Sequence, residues 1–180
     1  MVIDYAIKEF GLPENLKLSI HSGSDKFSIY PVMGELIKKY DKGIHVKTAG
    51  TTWLEEVIGL AEAGGDGLEV AKKIYAGAYE HRNEMTAPYA TVIDIDFSKI
   101  PTPEEVNGWD GKKFAESLRH VQSNPSYNPN FRQLIHVAFK IAANLGTVYT
   151  DALKKHADII GKQVTENLWE RHIKRLFGVN

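Results

Sequence analysis

One pattern, written twice in the first third of the chain, constrains its fold more than any other feature. Leu16-Lys17-Leu18-Ser19-Ile20-His21 alternates apolar and polar side chains with period two, as a half-buried strand does, and Ser22-Gly23-Ser24-Asp25 then supplies turn-forming small residues. From Lys26 to Tyr40, Phe27, Ile29, Tyr30, Met33, Leu36, Ile37 and Tyr40 recur at helical spacing, and Pro31 falls near the helix start, where its missing N–H costs little. After the turn Asp41-Lys42-Gly43 the unit returns. Ile44-His45-Val46-Lys47-Thr48 alternates, and Ala49-Gly50-Thr51-Thr52 opens a helix expected over 53–62. Two consecutive β-loop-α units imply parallel neighbouring strands with helices outside, as in a (β/α) barrel or an open α/β sheet.

The rest of the chain reads differently. A helix over 2–10, with Val2, Ile3, Ala6, Ile7 and Phe10 at helical period, ends at Gly11-Leu12-Pro13. Gly64-Gly65-Asp66-Gly67 is a turn, without the spacing of a phosphate loop. Beyond it, helices are expected over 68–83, 103–107, 112–122, 130–145 and 147–177, the last with a break near Gly161. Only Ala90-Thr91-Val92-Ile93-Asp94-Ile95-Asp96 reads as a further strand. The fold class is therefore α/β, predominantly helical, with two or three parallel strands. Two or three strands cannot close a barrel, so the expected body is part of a larger fold. The chain is read as a single compact domain over 1–180, with β-loop-α units over 1–67 and a mainly helical 68–180.

Composition excludes several classes of function. The chain has 180 residues, 43% of them hydrophobic and 25% charged, as a globular domain with one substantial core has. Twenty-two basic against 23 acidic residues leave a formal charge of -1, which argues against nucleic acid as a partner. Cysteine is absent, so disulfides, thiolate metal sites and cysteine nucleophiles are excluded, and any metal must use His, Asp, Glu, backbone or water. No segment approaches the roughly 20 apolar residues of a membrane helix, and the first ten residues lack a secretory pattern. Neither a membrane nor a secretory address is expected, and the cytoplasm is the default location.

Alternation gives the candidate site. A parallel strand under helices needs one aliphatic face, supplied by Leu18 and Ile20 in the first strand and by Ile44 and Val46 in the second. The opposite face then carries Ser19, His21, His45 and Lys47. Buried without partners, such groups cost on the order of 1–3 kcal/mol each, so ligand binding is a physical reason to keep them. In α/β folds ligands sit at the carboxyl ends of strands, where His21 and Lys47 lie. Two imidazoles on neighbouring strands can approach one divalent ion, or can simply hydrogen-bond within a polar core. Asp25 is a further possible ligand, acid or base, and Lys26 or Lys47 can pair with a substrate carboxylate.

The remaining histidines carry less weight. His136 lies in a mostly apolar helix and reads as a satisfied core or boundary residue, whereas His81, His120, His156 and His172 lie among charges and read as solvated. Ser123-Asn124-Pro125-Ser126-Tyr127-Asn128-Pro129-Asn130 reads first as a rigid interhelical turn with an Asn cap. Its alternative is a lid or carboxylate clamp using Tyr127, Asn128 and Arg132.

The stretches Leu18-Ser19-Ile20-His21-Ser22-Gly23-Ser24-Asp25-Lys26-Phe27-Ser28-Ile29-Tyr30-Pro31 and His45-Val46-Lys47-Thr48-Ala49-Gly50-Thr51-Thr52-Trp53-Leu54-Glu55 resemble the tagaturonate epimerase family of bacterial hexuronate breakdown. Tyr127-Asn128-Pro129-Asn130-Phe131-Arg132 and Leu168-Trp169-Glu170-Arg171-His172 are similar to that family's C-terminal portion. The resemblance implies the C-terminal part of a (β/α) barrel-like fold and an isomerase that interconverts tagaturonate and fructuronate with a divalent metal cation, zinc, manganese or similar. On this reading His21 and His45 hold the metal, Asp25 and Lys47 are catalytic, and Ser22, Ser24, Lys26, Thr48 and Thr51 contact a small sugar-acid substrate.

The inverted carbon of such a substrate lies one position beyond the carbon next to the ketone, so enolisation alone does not acidify its hydrogen. A retro-aldol break and re-addition, with an acid and a base moving the hydroxyl proton, is the expected route. An N-terminal companion polypeptide or a homo-oligomer is the expected partner. The alternative is a non-catalytic sugar-acid-binding or assembly module derived from such an enzyme.

Overall fold

The computed structural model describes residues 2–21 and 26–179. In chain order its elements are α1 (Val2–Phe10), β1 (Leu18–His21), a 3-10 turn (Phe27–Ile29) leading into α2 (Tyr30–Lys39), β2 (Ile44–Lys47), α3 (Ala49–Ala63), α4 (Gly65–Glu80) and α5 (Arg82–Thr86). There follow α6 (Pro103–Asn107), α7 (Gly111–Leu118), α8 (Pro129–His136), α9 (Phe139–Asn144), α10 (Thr147–Lys155), α11 (Ala157–Glu166), a π-helical segment (Asn167–Ile173) and α12 (Lys174–Phe177). The predominantly helical α/β reading stands. Among the described residues the sheet has two strands, β1 and β2, which are parallel. None of the described helices is long and apolar enough to cross a membrane.

Contacts divide the chain into two compact units, Met1–Thr51 with Thr165–Asn180, and Thr52–Val164. The sequence reading treats the chain as one body with a change of character at 67. In the structure the last residues instead group with the first β-loop-α residues.

Unit 1 is held by a close helix approach. α2 presents Gly34 to α12, where an added Cβ would stand 1.9 Å from the Leu176 carbonyl oxygen. Lys38 Nζ donates to the Phe177 carbonyl at 2.9 Å and satisfies one of the free acceptors at the α12 C-terminus. Gly178 follows in the left-handed conformation that ends helices. Among the described residues the buried ones of this unit are few: Ile20, Tyr30, Gly34 and Leu176 with the polar Thr51, Asn167 and His172.

Unit 2 has the larger core. α3 buries Trp53, Leu54, Val57, Ile58, Leu60 and Ala61, and these meet Val70, Ala71, Ile74, Tyr75 and Ala78 of α4 in one apolar cluster. Phe131 of α8 lies 4.6 Å from Tyr75, 5.1 Å from Phe114 and 5.5 Å from Trp109 between ring centroids. Aromatic pairs of this kind add about 0.5–1.5 kcal/mol each beyond the area they bury. The buried polar ends are paired: Trp53 Nε1 donates to the Ile135 carbonyl at 3.0 Å, and Tyr75 Oη donates to the Pro101 carbonyl at 2.5 Å.

Three sequence expectations are corrected in this unit. Residues 90–96 form no strand; they are turn and extended chain leading to a 3-10 turn at Phe97–Lys99. Their backbone groups are satisfied by side-chain amides of α8, with Gln133 Oε1 accepting from Asp94 N, Gln133 Nε2 donating to Asp94 O, and Asn130 Oδ1 accepting from Asp96 N. The helix expected over 130–145 is two, α8 and α9, with Val137 and Ala138 between them. The break expected near Gly161 falls instead at His156, whose ring nitrogen lies 3.2 Å from Asp66 Oδ1 where α10 ends; Gly161 is inside α11.

Candidate functional site

The parallel register puts Ser19 opposite His45, Ile20 opposite Val46 and His21 opposite Lys47. Because successive strand residues point to opposite faces, Ser19, His21, His45 and Lys47 share one face. All four are exposed, whereas Ile20 is buried and Ile44 and Val46 are half-buried. The division of faces read from alternation is therefore present, with Leu18 more exposed than its aliphatic partners. Strand spacing and rise set the diagonal between the His21 and His45 Cα atoms at about 8 Å, a span that two imidazoles can close around one ion.

Local sequence explains the presentation. His21 and Lys47 end their strands, and α3 begins two residues after Lys47, so Thr48 sits in the turn between strand and helix. Lys26 Nζ donates to the His21 carbonyl at 2.8 Å, which brings that lysine back to the end of β1. Thr51, in the first turn of α3, is fully buried. Ser22, Ser24 and Asp25 lie outside the described residues. The structure thus brings together Ser19, His21, Lys26, His45 and Lys47 at one end of the sheet, with Thr48 beside them in sequence.

The charged side chains of the two strands and of Lys26 are cationic. The strand sequences Leu18-Ser19-Ile20-His21 and Ile44-His45-Val46-Lys47 contain no carboxylate, and Lys26 and Lys47 supply cations. Such a surface favours an anionic ligand. Neither the His21 nor the His45 imidazole is hydrogen-bonded to another described residue. Free, exposed imidazoles of this kind suit a divalent cation, and they fit as two corners of a site. Among the described residues no group of three or more His, Asp or Glu side chains could hold a metal, so further ligands would have to come from elsewhere.

One histidine departs from its reading. His172, expected on a solvated face, is buried. It lies within the π-helical segment, its ring 5.2 Å from Phe27 and 5.4 Å from Tyr30, and its Nδ1 is 2.9 Å from the Asn167 carbonyl. A carbonyl only accepts, so Nδ1 carries the hydrogen. The signal in the sequence was its place four residues before the buried Leu176, on one helical face. His81 is exposed and near Glu84, His120 stacks on Tyr127 at 5.4 Å, and His156 pairs with Asp66. The Asn-Pro segment is an interhelical turn: Asn128 Oδ1 accepts from Asn130 N and Phe131 N, capping α8, and its Nδ2 donates to the Lys99 carbonyl. Arg132 is buried and donates to the Leu118 carbonyl at 2.8 Å, a bond that braces α7.

Comparison with known proteins adds the following. A family model described as tagaturonate epimerase matches residues 8–176. The tagaturonate/fructuronate epimerase of Thermotoga maritima is 35% identical over 166 residues, which cover 90% of this chain and 29% of that relative. This chain therefore spans less than a third of the relative's length. No solved structure matches.

Proposed function

Because this chain belongs to the tagaturonate epimerase family, we propose that the polar face of β1 and β2 is one wall of a site that interconverts tagaturonate and fructuronate. The observation that carries this reading is the register: Ser19, His21, His45 and Lys47 share a single exposed face of two parallel strands, with His21 and Lys47 at the carboxyl ends. Family membership supplies the substrate class, and the geometry supplies groups of the chemistry that a sugar acid needs.

Lys47 and Lys26 hold the substrate carboxylate, since both ammonium groups belong to the strand end that also carries the imidazoles. Ser22, Ser24 and Thr48 contribute hydroxyls toward the sugar, whereas the fully buried Thr51 lies beneath the start of α3. Asp25 takes the proton from the hydroxyl on the carbon to be inverted; the bond from that carbon to the carbon next to the ketone then breaks, leaving an aldehyde and an enediolate. The aldehyde turns, the same bond re-forms on its other face, and the proton returns to the new hydroxyl. His21 and His45 would hold a divalent cation, zinc, manganese or similar, which when bound supplies positive charge against the oxygen anion that develops.

The remaining wall comes from the region of the family that this chain does not span, in the same polypeptide or in a companion. The cytoplasm is the proposed setting, because charged sugar acids do not cross membranes unaided. The test has two parts. His21→Ala and His45→Ala should each abolish stoichiometric binding of zinc or manganese, and fructuronate added to the protein with its companion region should yield tagaturonate. Unchanged metal content in both purified variants would overturn the metal assignment. Binding of fructuronate without epimer formation would favour a non-catalytic sugar-acid module instead.

A further inference from the structure

The polar face of the sheet extends one row toward the amino ends of its strands. Leu18 N donates to the Gly43 carbonyl at 3.1 Å, which continues the ladder, so Lys17 stands opposite Gly43 as Ser19 stands opposite His45. Lys17 lies two residues before Ser19, and Gly43 two before His45, so strand alternation puts both on the same face as those residues. The face then has three rows, about 6.6 Å apart along the strands: Lys17 with Gly43, Ser19 with His45, and His21 with Lys47.

In the first of these rows the lysine crosses the sheet. A Cβ built at Gly43 would lie 2.8 Å from Lys17 Cγ and 3.3 Å from both its Cδ and its Cε, so the lysine stem occupies the place where residue 43 would carry a side chain. Gly43 is not in the left-handed conformation, so its backbone does not demand glycine. What the missing side chain provides is room for the stem. The ammonium, one bond beyond Cε, is therefore carried to the β2 side of the face, in the column that continues with His45 and Lys47. It is exposed and forms no ion pair or hydrogen bond with another described residue.

This column has a cation at each end and an imidazole between them, with the Cα atoms of Gly43 and Lys47 about 13 Å apart. The proposed substrate is extended in the same sense, since a keto sugar acid carries its ketone near one end and its carboxylate at the other. When the carbon-carbon bond breaks, its electron pair stays with the ketone fragment as the enediolate, and the carboxylate stays with the aldehyde fragment. New negative charge therefore develops at the end away from the carboxylate.

We propose that Lys17, seated over Gly43, binds the ketone end of the sugar acid, its ammonium donating a hydrogen bond to the oxygen that becomes anionic, while Lys47 holds the carboxylate end. The assignment rests on the function proposed above and adds to it a catalytic residue and, in Gly43, a positioning residue. Lys17 keeps its proton throughout and forms no bond to carbon. A donor aimed at an oxygen that gains charge acts more strongly in the transition state than in the bound substrate, so it acts on kcat.

The test follows conversion of fructuronate to tagaturonate by the protein with its companion region. Lys17→Met keeps a stem of similar length and removes the ammonium, so packing over Gly43 survives. It should lower kcat about a hundredfold, with KM and the zinc or manganese stoichiometry unchanged, whereas Lys47→Met should raise KM. Gly43→Ala, which displaces the stem, should lower kcat in the same sense, and both substitutions together should cost no more than Lys17→Met alone, because they remove one contact. Unchanged kcat in Lys17→Met would overturn the proposal. So would a raised KM with kcat unchanged, which would put Lys17 on the carboxylate. Lys17 is exposed, so its variant keeps the test decisive if Gly43→Ala disturbs the strand. Turnover by the unsubstituted protein separates the two readings: with turnover and an indifferent Lys17→Met only this assignment falls, and without turnover the function falls and takes the assignment with it.

Discussion

Alanine at Gly34 and alanine at Gly161 should change stability in opposite directions. Both glycines lie inside helices, α2 and α11, where alanine is favoured over glycine by about 1 kcal/mol. At Gly161 an added Cβ meets nothing within 4 Å, so this gain should appear almost whole. At Gly34 the Cβ would stand 1.9 Å from the Leu176 oxygen and 3.0 Å from its carbonyl carbon. Both are backbone atoms, so no side chain can rotate away, and α12 must move by more than an ångström. Overpacking costs about 1–3 kcal/mol, and against fixed backbone the upper end applies, so subtracting the propensity gain of about 1 kcal/mol leaves a net loss of roughly 2 kcal/mol. Displacing α12 also stretches the 2.9 Å bond from Lys38 to the Phe177 carbonyl. Native-state hydrogen exchange, read separately on α2 with α12 and on the core helices of unit 2, distinguishes a local loss from a global one. Increased protection of α2 in Gly34→Ala would refute the reasoning, because it would mean that intrinsic propensity, not the helix contact, sets stability there.

Further outcomes follow from the same geometry. Gln133→Ala removes both bonds to the Asp94 backbone, so Asp94 and its neighbours should exchange faster and unfolding in urea should show a loss of about 1–2 kcal/mol; unchanged exchange at Asp94 would remove the account of the missing third strand. Tyr149→Phe deletes the bond from its hydroxyl to Glu56 at 2.5 Å, and should cost about 1–2 kcal/mol by the same assay. Burial, reinforced by Glu56, raises the Tyr149 phenol above its ordinary value, so ultraviolet titration should leave this tyrosine protonated when exposed tyrosines ionise. The Asp96 carboxylate accepts from the Ser98 hydroxyl and backbone and from Lys99, which lowers its pKa to about 2. Its contribution is fully present above the ordinary carboxylate range and lost as pH falls through about 4 to 2, so carboxyl carbon resonances should show Asp96 titrating near 2, well below the ordinary aspartate value.

Much of the local structure was legible because its causes are local. Val2–Phe10 and Pro103–Asn107 form helices with the bounds their periods and caps imply, and the two alternating stretches pair as neighbouring parallel strands. Alternation also sorted Ser19, His21, His45 and Lys47 onto one face, since period two is a property of the extended backbone itself. The family, too, was legible in the strings around His21 and His45.

What tertiary structure decided is where local pattern met a distant partner. Residues 90–96 have the composition of a strand, but Gln133, 39 residues from Asp94, takes the backbone groups a neighbouring strand would have taken. His172 sits among charges in sequence, yet Phe27 and Tyr30 from the other end of unit 1 bury it. The helix break belongs to His156 because Asp66, 90 residues away, binds it there. A chain's own period sets which side chains share a face; which backbone groups are satisfied, and by whom, depends on residues that only folding brings together.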